Sequence, residues 1–224
     1  MVGPPVSARE EMLRRVRQAL SDVPAQEAPA DVGVPRGYAR SGGQPGRDRV
    51  DVFAARVSDY DARVTRAPRG RARWAVQEIC AGLGVERLLI PADLPLDWQP
   101  NDLTLVSDTG LGVAELNGVD AVLTGCASAI ALTGTLILDS GPGQGRRVLS
   151  LLPDRHICVV LAEDIVDTVP EGLEAVAGAA REGRPLTLIS GPSATSDIEL
   201  RRVDGVHGPR QLEVLILEQA APAR

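Results

Sequence analysis

The chain has 224 residues, 30 acidic against 24 basic, and a net charge of −6. That length supports one substantial core or one domain with a helical extension. The acidic balance, with only 2% aromatic residues, excludes a general nucleic-acid binder, which needs a basic face and stacking rings. All 24 basic residues are arginine, so a lysine Schiff base and a Walker-type phosphate loop are excluded as well. Any anion must be held by guanidinium, backbone N–H or hydroxyl groups.

Cys80, Cys126 and Cys158 are widely spaced, and no C-x-x-C occurs. No cofactor is therefore expected within this chain, neither an iron–sulfur cluster nor a structural zinc. The start, Met1 to Arg9, has no apolar leader, and no run approaches a membrane span. The expectation is a soluble, cytoplasmic protein.

Ser7-Ala8-Arg9-Glu10 matches a capping box and opens a helix to about Leu20, with Met12, Leu13, Val16 and Leu20 on one face. Residues 1–22 form this N-terminal helix. The stretch 23–47, with Pro24, Pro29, Pro35 and Pro45, reads as a flexible linker, and residues 48–220 as one α/β domain. From Asp48, Val50, Phe53, Val57, Tyr60 and Val64 recur at helical spacing, and a second helix runs from about Gly70 to a stop at Gly84.

Beyond it, short apolar runs predict strands at 87–90, 103–107, 121–124, 135–139, 157–161, 186–190 and 212–217, with a helix over 162–180. Their near-continuous Leu, Val and Ile content suits strands buried on both faces. The fold class is α/β, an open, largely parallel sheet with an N-terminal helical extension.

In such sheets ligands bind outside the carboxyl ends of the strands. Two predicted strands run into Ser-Gly-Pro loops. One carries Ser140, Gly141, Gly143, Gln144, Gly145 and Arg146; the other carries Ser190, Gly191, Ser193, Thr195 and Asp197. If those strands are parallel, both loops share one edge, and a helix starting near Gly145 aims its N–H groups and Arg146 at an anion. The alternative is a pair of tight turns. Ser196-x-x-Glu199 is also a capping-box match, giving Asp197 a structural alternative.

Thr133, Gly134 and Thr135 offer hydroxyls and N–H groups, or a capped turn. His207 and Arg210 share a Gly-rich loop that favours ligand binding, whereas His156 reads as structural. Cys126 is a nucleophile only if its pKa is depressed.

In order, Ala129–Thr135, Ser140–Arg146, Leu151–His156, Ser190–Glu199 and Gly205–Arg210 resemble the LUD-domain family, in its lactate-utilisation C-subunit branch. The resemblance covers about Asp48 to Leu217, and Arg17-Gln18-Ala19-Leu20 extends it to the first helix. It implies a fold of the sugar-phosphate isomerase and CoA-transferase type. It also implies an accessory subunit in the oxidation of L-lactate to pyruvate, with iron–sulfur clusters carried by partner proteins and a small anionic ligand at the Gly-rich loops.

The family usually reads Ala-Glu-Thr-Gly-Thr where this chain has Ala131-Leu132-Thr133-Gly134-Thr135. Leu132 thus removes a potential base, nucleophile or acceptor and leaves catalysis by this chain an open question. The competing functions are a stand-alone enzyme and a non-catalytic sensor of a phosphorylated, CoA-linked or carboxylate ligand.

Overall fold

The computed structural model describes residues 7–24, 26–28, 31, 33–35, 37–42, 46–196, 202–205 and 207–219, with the side chains of 195, 196 and 202–204 left aside. The chain divides into two compact units, Met1–Tyr38 and Ala39–Arg224. In the first, α1 (Ala8–Ala19) opens as its capping box predicts: Ser7 Oγ accepts from Glu10 N–H, and Ser7 N–H donates to Glu10 Oε2 at 2.9 Å. Its side chains are exposed or partly exposed, with none buried. The predicted linker 23–47 lies partly outside the described residues.

The second unit begins with α2 (Arg49–Ser58), capped by Asp48, whose Oδ1 accepts from Val50 N–H at 2.8 Å. β1 (Arg63–Pro68) follows, then α3 (Ala72–Leu83), which stops at Gly84 in the left-handed conformation, φ +65°. Next come β2 (Arg87–Pro91), β3 (Thr104–Asp108), the short α4 (Val113–Leu116) and β4 (Ala121–Gly125). β5 (Ser128–Ile130), β6 (Thr135–Leu138), β7 (Arg155–Leu161) and β8 (Ile165–Val166) lead to α5 (Val169–Ala175) and α6 (Ala177–Arg181). β9 (Thr187–Ile189), β10 (Ala194–Ser196), β11 (Arg202–Asp204) and β12 (Gln211–Glu218) complete the described elements.

A six-stranded sheet, ordered β1-β12-β7-β4-β2-β3, is parallel throughout. On one face α3 packs Ala72, Val76 and Cys80 against Leu88, Leu123, Ile157 and Leu215. On the other, Cys158, Val160, Val214 and Ile216 meet Phe53 and Val57 of α2 together with Leu136, Leu138 and Ile165. Those last three belong to a second, mixed sheet ordered β8-β5-β6-β9. Its far side holds Ile130 and Ile137 against Val176. Burial on both faces explains why the central strands read as unbroken apolar runs.

Three expectations are corrected. The segment 162–180 is not one helix: a 3-10 turn (Ala162–Asp164) and β8 precede α5, which starts at a Thr168/Glu171 capping box with Pro170 in its first turn. The helical pattern from Asp48 ends at Ser58, and Val64 lies in β1. The runs at 135–139 and 186–190 are strands of the second sheet, where β6 and β9 pair antiparallel.

Candidate functional site

Antiparallel pairing of β6 and β9 sends the two Ser-Gly-Pro loops to opposite ends of the second sheet. They cannot form one cradle on a shared edge.

The loop after β6 lies over the carboxyl ends of the parallel strands. Gly143 O accepts from Gly125 N–H at 2.8 Å at the end of β4, and Gly143 N–H donates to Asp93 Oδ2 at 3.0 Å beyond β2. Arg146 donates to both carboxylate oxygens of Asp108, at 2.8 and 2.6 Å, at the end of β3. The buried Asp139 carboxylate accepts from Gly141 N–H at 2.9 Å and Gln144 Nε2 at 2.8 Å, and lies 3.1 Å from Arg184. Ser140 takes a left-handed conformation, φ +55°, and a Cβ on Gly145 would lie 2.6 Å from Leu149 Cδ1. Residues Arg147–Ser150 form a 3-10 turn, so the expected α-helix start near Gly145 is absent. Gly141, Gly143, Gln144 and Arg146 of this loop are thus hydrogen-bonded within the protein.

One consequence is testable by acid unfolding. The Arg146 guanidinium holds the Asp108 carboxyl below its usual range, aided by the N–H groups of Gly110 and Leu111. A depressed folded pKa contributes stability above the ordinary Asp range, lost as pH falls through the folded value. Arg146→Gln is expected to lower stability at pH 7 only slightly, because the arginine is half exposed and water screens the pair. The difference from wild type vanishes at low pH, and a difference that persists there would refute the assignment.

The loop after β9 lies at the other end, by the amino ends of β7 and β12. Ser190 Oγ is 2.7 Å from Thr135 Oγ1, which is 2.7 Å from Thr133 Oγ1, a chain of three hydroxyls. Gly191 has φ +95°, and a Cβ there would lie 2.5 Å from Tyr60 O. Ser193 ties the 190s loop to the 207–210 loop: its N–H donates to Pro209 O at 2.8 Å, and its Oγ accepts from His207 N–H at 3.1 Å. Thr195 pairs with Val203 in the β10–β11 ribbon. Ser196 pairs with Arg202 there, whereas Asp197 and Glu199 lie outside the described residues.

These loops border a half-open cavity of about 260 Å³, lined by Ser190, Gly191, Ser193, His207 and Gly208 with Ser150, His156 and Leu212. His156 is fully buried, its Nε2 2.8 Å from Thr124 Oγ1, and burial lowers its pKa to about 4. The sequence assigned it a structural place, and its presence in the cavity wall was missed; a polar ring opening an otherwise apolar strand was the available signal.

A second hollow of about 370 Å³ adjoins the first across Pro192 and Leu212, and is lined by Arg63, Arg210 and Glu213 among others. Arg210 is exposed and lies 3.3 Å from Asp154. Burial pushes the Glu213 carboxyl up, opposed by Arg63 at 3.4 Å.

Leu132, the departure from the expected family pattern, is 48% exposed. No closed apolar pocket holds it, and a carboxylate there would meet water. Cys126 is no activated thiol: hydrogen bonding with Cys158 and burial push its pKa well up. Among the described residues no His, Cys, Asp and Glu cluster has the makings of a metal site, and no helix is long and apolar enough to cross a membrane.

The LUD domain family model matches residues 113–217. A lactate utilization protein C from Deinococcus radiodurans is 44% identical over 211 residues, covering 94% of this chain and 95% of its own. The Escherichia coli protein YkgG is 29% identical, covering 94% and 98% respectively. The crystal structure of a DUF162 family protein from Deinococcus radiodurans superposes with a TM-score of 0.67 at 43% identity, over 76% of this chain and 99% of that one.

Proposed function

The chain belongs to the LUD-domain family, and from that premise we propose that it serves lactate utilisation as an accessory subunit binding a small carboxylate. The observation that carries the reading is the meeting of the 190–193 and 207–210 loops around one cavity. Residues picked from two separate sequence motifs line a single wall. Of the residues singled out in the sequence, Ser190, Gly191, Ser193 and His207 line this site, Thr133 and Thr135 support Ser190, and Arg210 supplies a cation in the adjoining hollow. The loop 140–146 holds the carboxyl edge together.

The partners in this reading are iron–sulfur proteins that carry the electrons of lactate oxidation. The spacing of Cys80, Cys126 and Cys158 gives this chain no cluster motif of its own. Redox chemistry then belongs to the assembly, and this subunit contributes ligand recognition.

Isothermal titration of the full chain with L-lactate and pyruvate tests the ligand. Arg210→Ala and His207→Ala are each expected to weaken binding by about tenfold, the loss of one charge-assisted contact. Binding unchanged in both variants would place the ligand elsewhere. Affinity purification from lactate-grown cells tests the assembly: iron–sulfur proteins should co-purify, and a deletion strain should lose growth on lactate. Normal growth with no such proteins retained would reject the subunit role.

A further inference from the structure

Among the described α-helices, α1 alone buries no residue. Its sequence is nonetheless amphipathic. Met12, Leu13 and Val16, with Leu20 at the C-cap, recur at three- and four-residue intervals and so share one face. Met12 is 67% and Leu20 55% exposed. Isolated helices of this length are marginal in water, so a stripe of four large apolar side chains calls for a surface that covers it.

The charges around the stripe define that surface. Ala8–Ala19 holds four arginines and two glutamates. Both glutamates are engaged within the helix: Glu10 closes the capping box with Ser7, and Glu11 pairs with Arg14 at 2.7 Å and Arg15 at 2.9 Å. Arg9 and Arg17 have no ion pair among the described residues. Arg15 and Arg17 are the chain neighbours of Val16, so each lies about 100° round the helix from it, on opposite flanks of the stripe. The face is apolar with a cationic rim.

A second copy of α1 covers too little of this face. A rod about 18 Å long laid on its twin falls well short of the roughly 800 Å² per partner in a stable interface. A membrane surface is disfavoured because the helix has no aromatic residue and the chain's net charge is −6. A groove in another protein wraps the stripe and both flanks at once, as amphipathic helices dock. Carboxylates along its rim would complement Arg15 and Arg17.

We propose that α1 is the docking element of this subunit: Met12, Leu13, Val16 and Leu20 seat in an apolar groove of the partner protein, whose rim carboxylates meet Arg15 and Arg17. The assignment rests on the subunit reading above and adds which part of the chain holds the partner.

The test is affinity purification of the tagged full chain from lactate-grown cells, with retained iron and acid-labile sulfide measured per subunit and the retained proteins identified. Leu13→Ala with Val16→Ala keeps helix propensity while removing the centre of the stripe, and should lower retention of the iron–sulfur proteins by about tenfold or more. Arg15→Glu with Arg17→Glu should lower it by a similar factor, and retention by wild type should fall as salt rises. Gln18→Glu, on the far face, should retain as wild type does.

Equal retention by the alanine pair and wild type overturns the role of α1 and leaves the subunit reading standing. No iron–sulfur protein on wild type overturns both. Because α1 buries no residue, the alanine pair should melt at the wild-type Tm. A lowered Tm would mean that the chain covers the stripe itself, and a wild-type dimer lost in the alanine pair would assign the stripe to a second copy; either result overturns the proposal.

Discussion

Gly134→Ala is expected to lower stability by about 3–4 kcal/mol, the sum of left-handed strain and overpacking against backbone. Gly134 has φ +60°, and a Cβ there would lie 2.5 Å from Val57 N and 2.6 Å from Arg56 C in α2. Neither atom can move without shifting the helix. The loss should appear in urea unfolding as a lower midpoint with an unchanged slope. It should also reach the cavity, because Gly134 sits between Thr133 and Thr135, whose hydroxyls run on to Ser190. Gly178→Ala in α6 is the control: a Cβ there meets nothing within 4 Å, so the change should be neutral or stabilising by up to about 1 kcal/mol. A Gly134→Ala cost under about 1 kcal/mol would contradict the close approach of turn and helix.

Phe53→Ala is expected to cost about 3–5 kcal/mol, the range for emptying a fully buried aromatic site. Phe53 is the chain's single phenylalanine and is 0% exposed. It joins α2 to both sheets in one apolar cluster that includes Leu136, Val160 and Val214. The loss is comparable to the total stability of many domains, so the variant should be marginal or unfolded by circular dichroism at 37 °C. Phe53→Leu should fold and cost less than about 1.5 kcal/mol. Equal stability of Phe53→Ala and wild type would mean that α2 does not hold the layers together.

The parts of the fold legible in the sequence are those whose burial is symmetric. β4, β7 and β12 lie inside the parallel sheet, and their apolar runs announce it. β1 escaped because it is an edge strand: Arg63, Thr65 and Arg66 break the apolar run, and only Ala67 and Val64 pack inward. The broken segment 162–180 kept a helical spacing across β8, although Thr168-x-x-Glu171 and Pro170 mark the true start of α5.

Local pattern also cannot choose a strand's partner. Leu136-Ile137-Leu138 is as apolar as any parallel strand, yet it pairs antiparallel with β9 and β5 in another sheet. That single fact separates loops that look alike in sequence. The motif residues were therefore findable and their grouping was not. Ser190, Ser193 and His207 meet because β9 ends where β12 is about to begin, a long-range relation absent from either segment alone. His156 stayed hidden for a related reason: its Nδ1 has no hydrogen-bond partner among the described residues, a property of what surrounds it.

The strand order carries a consequence for synthesis of the protein. β12 lies between β1 and β7 and bonds to both, so Arg63 finds its neighbour Glu213 only 150 residues later. While residues 211–218 are still inside the ribosome, β1 has no strand beside it and β7 leaves one edge open. Such an edge is a template for pairing with other chains, and synthesis at about 5–20 residues per second leaves it exposed for several seconds. The last described strand to emerge is thus the one that closes the sheet.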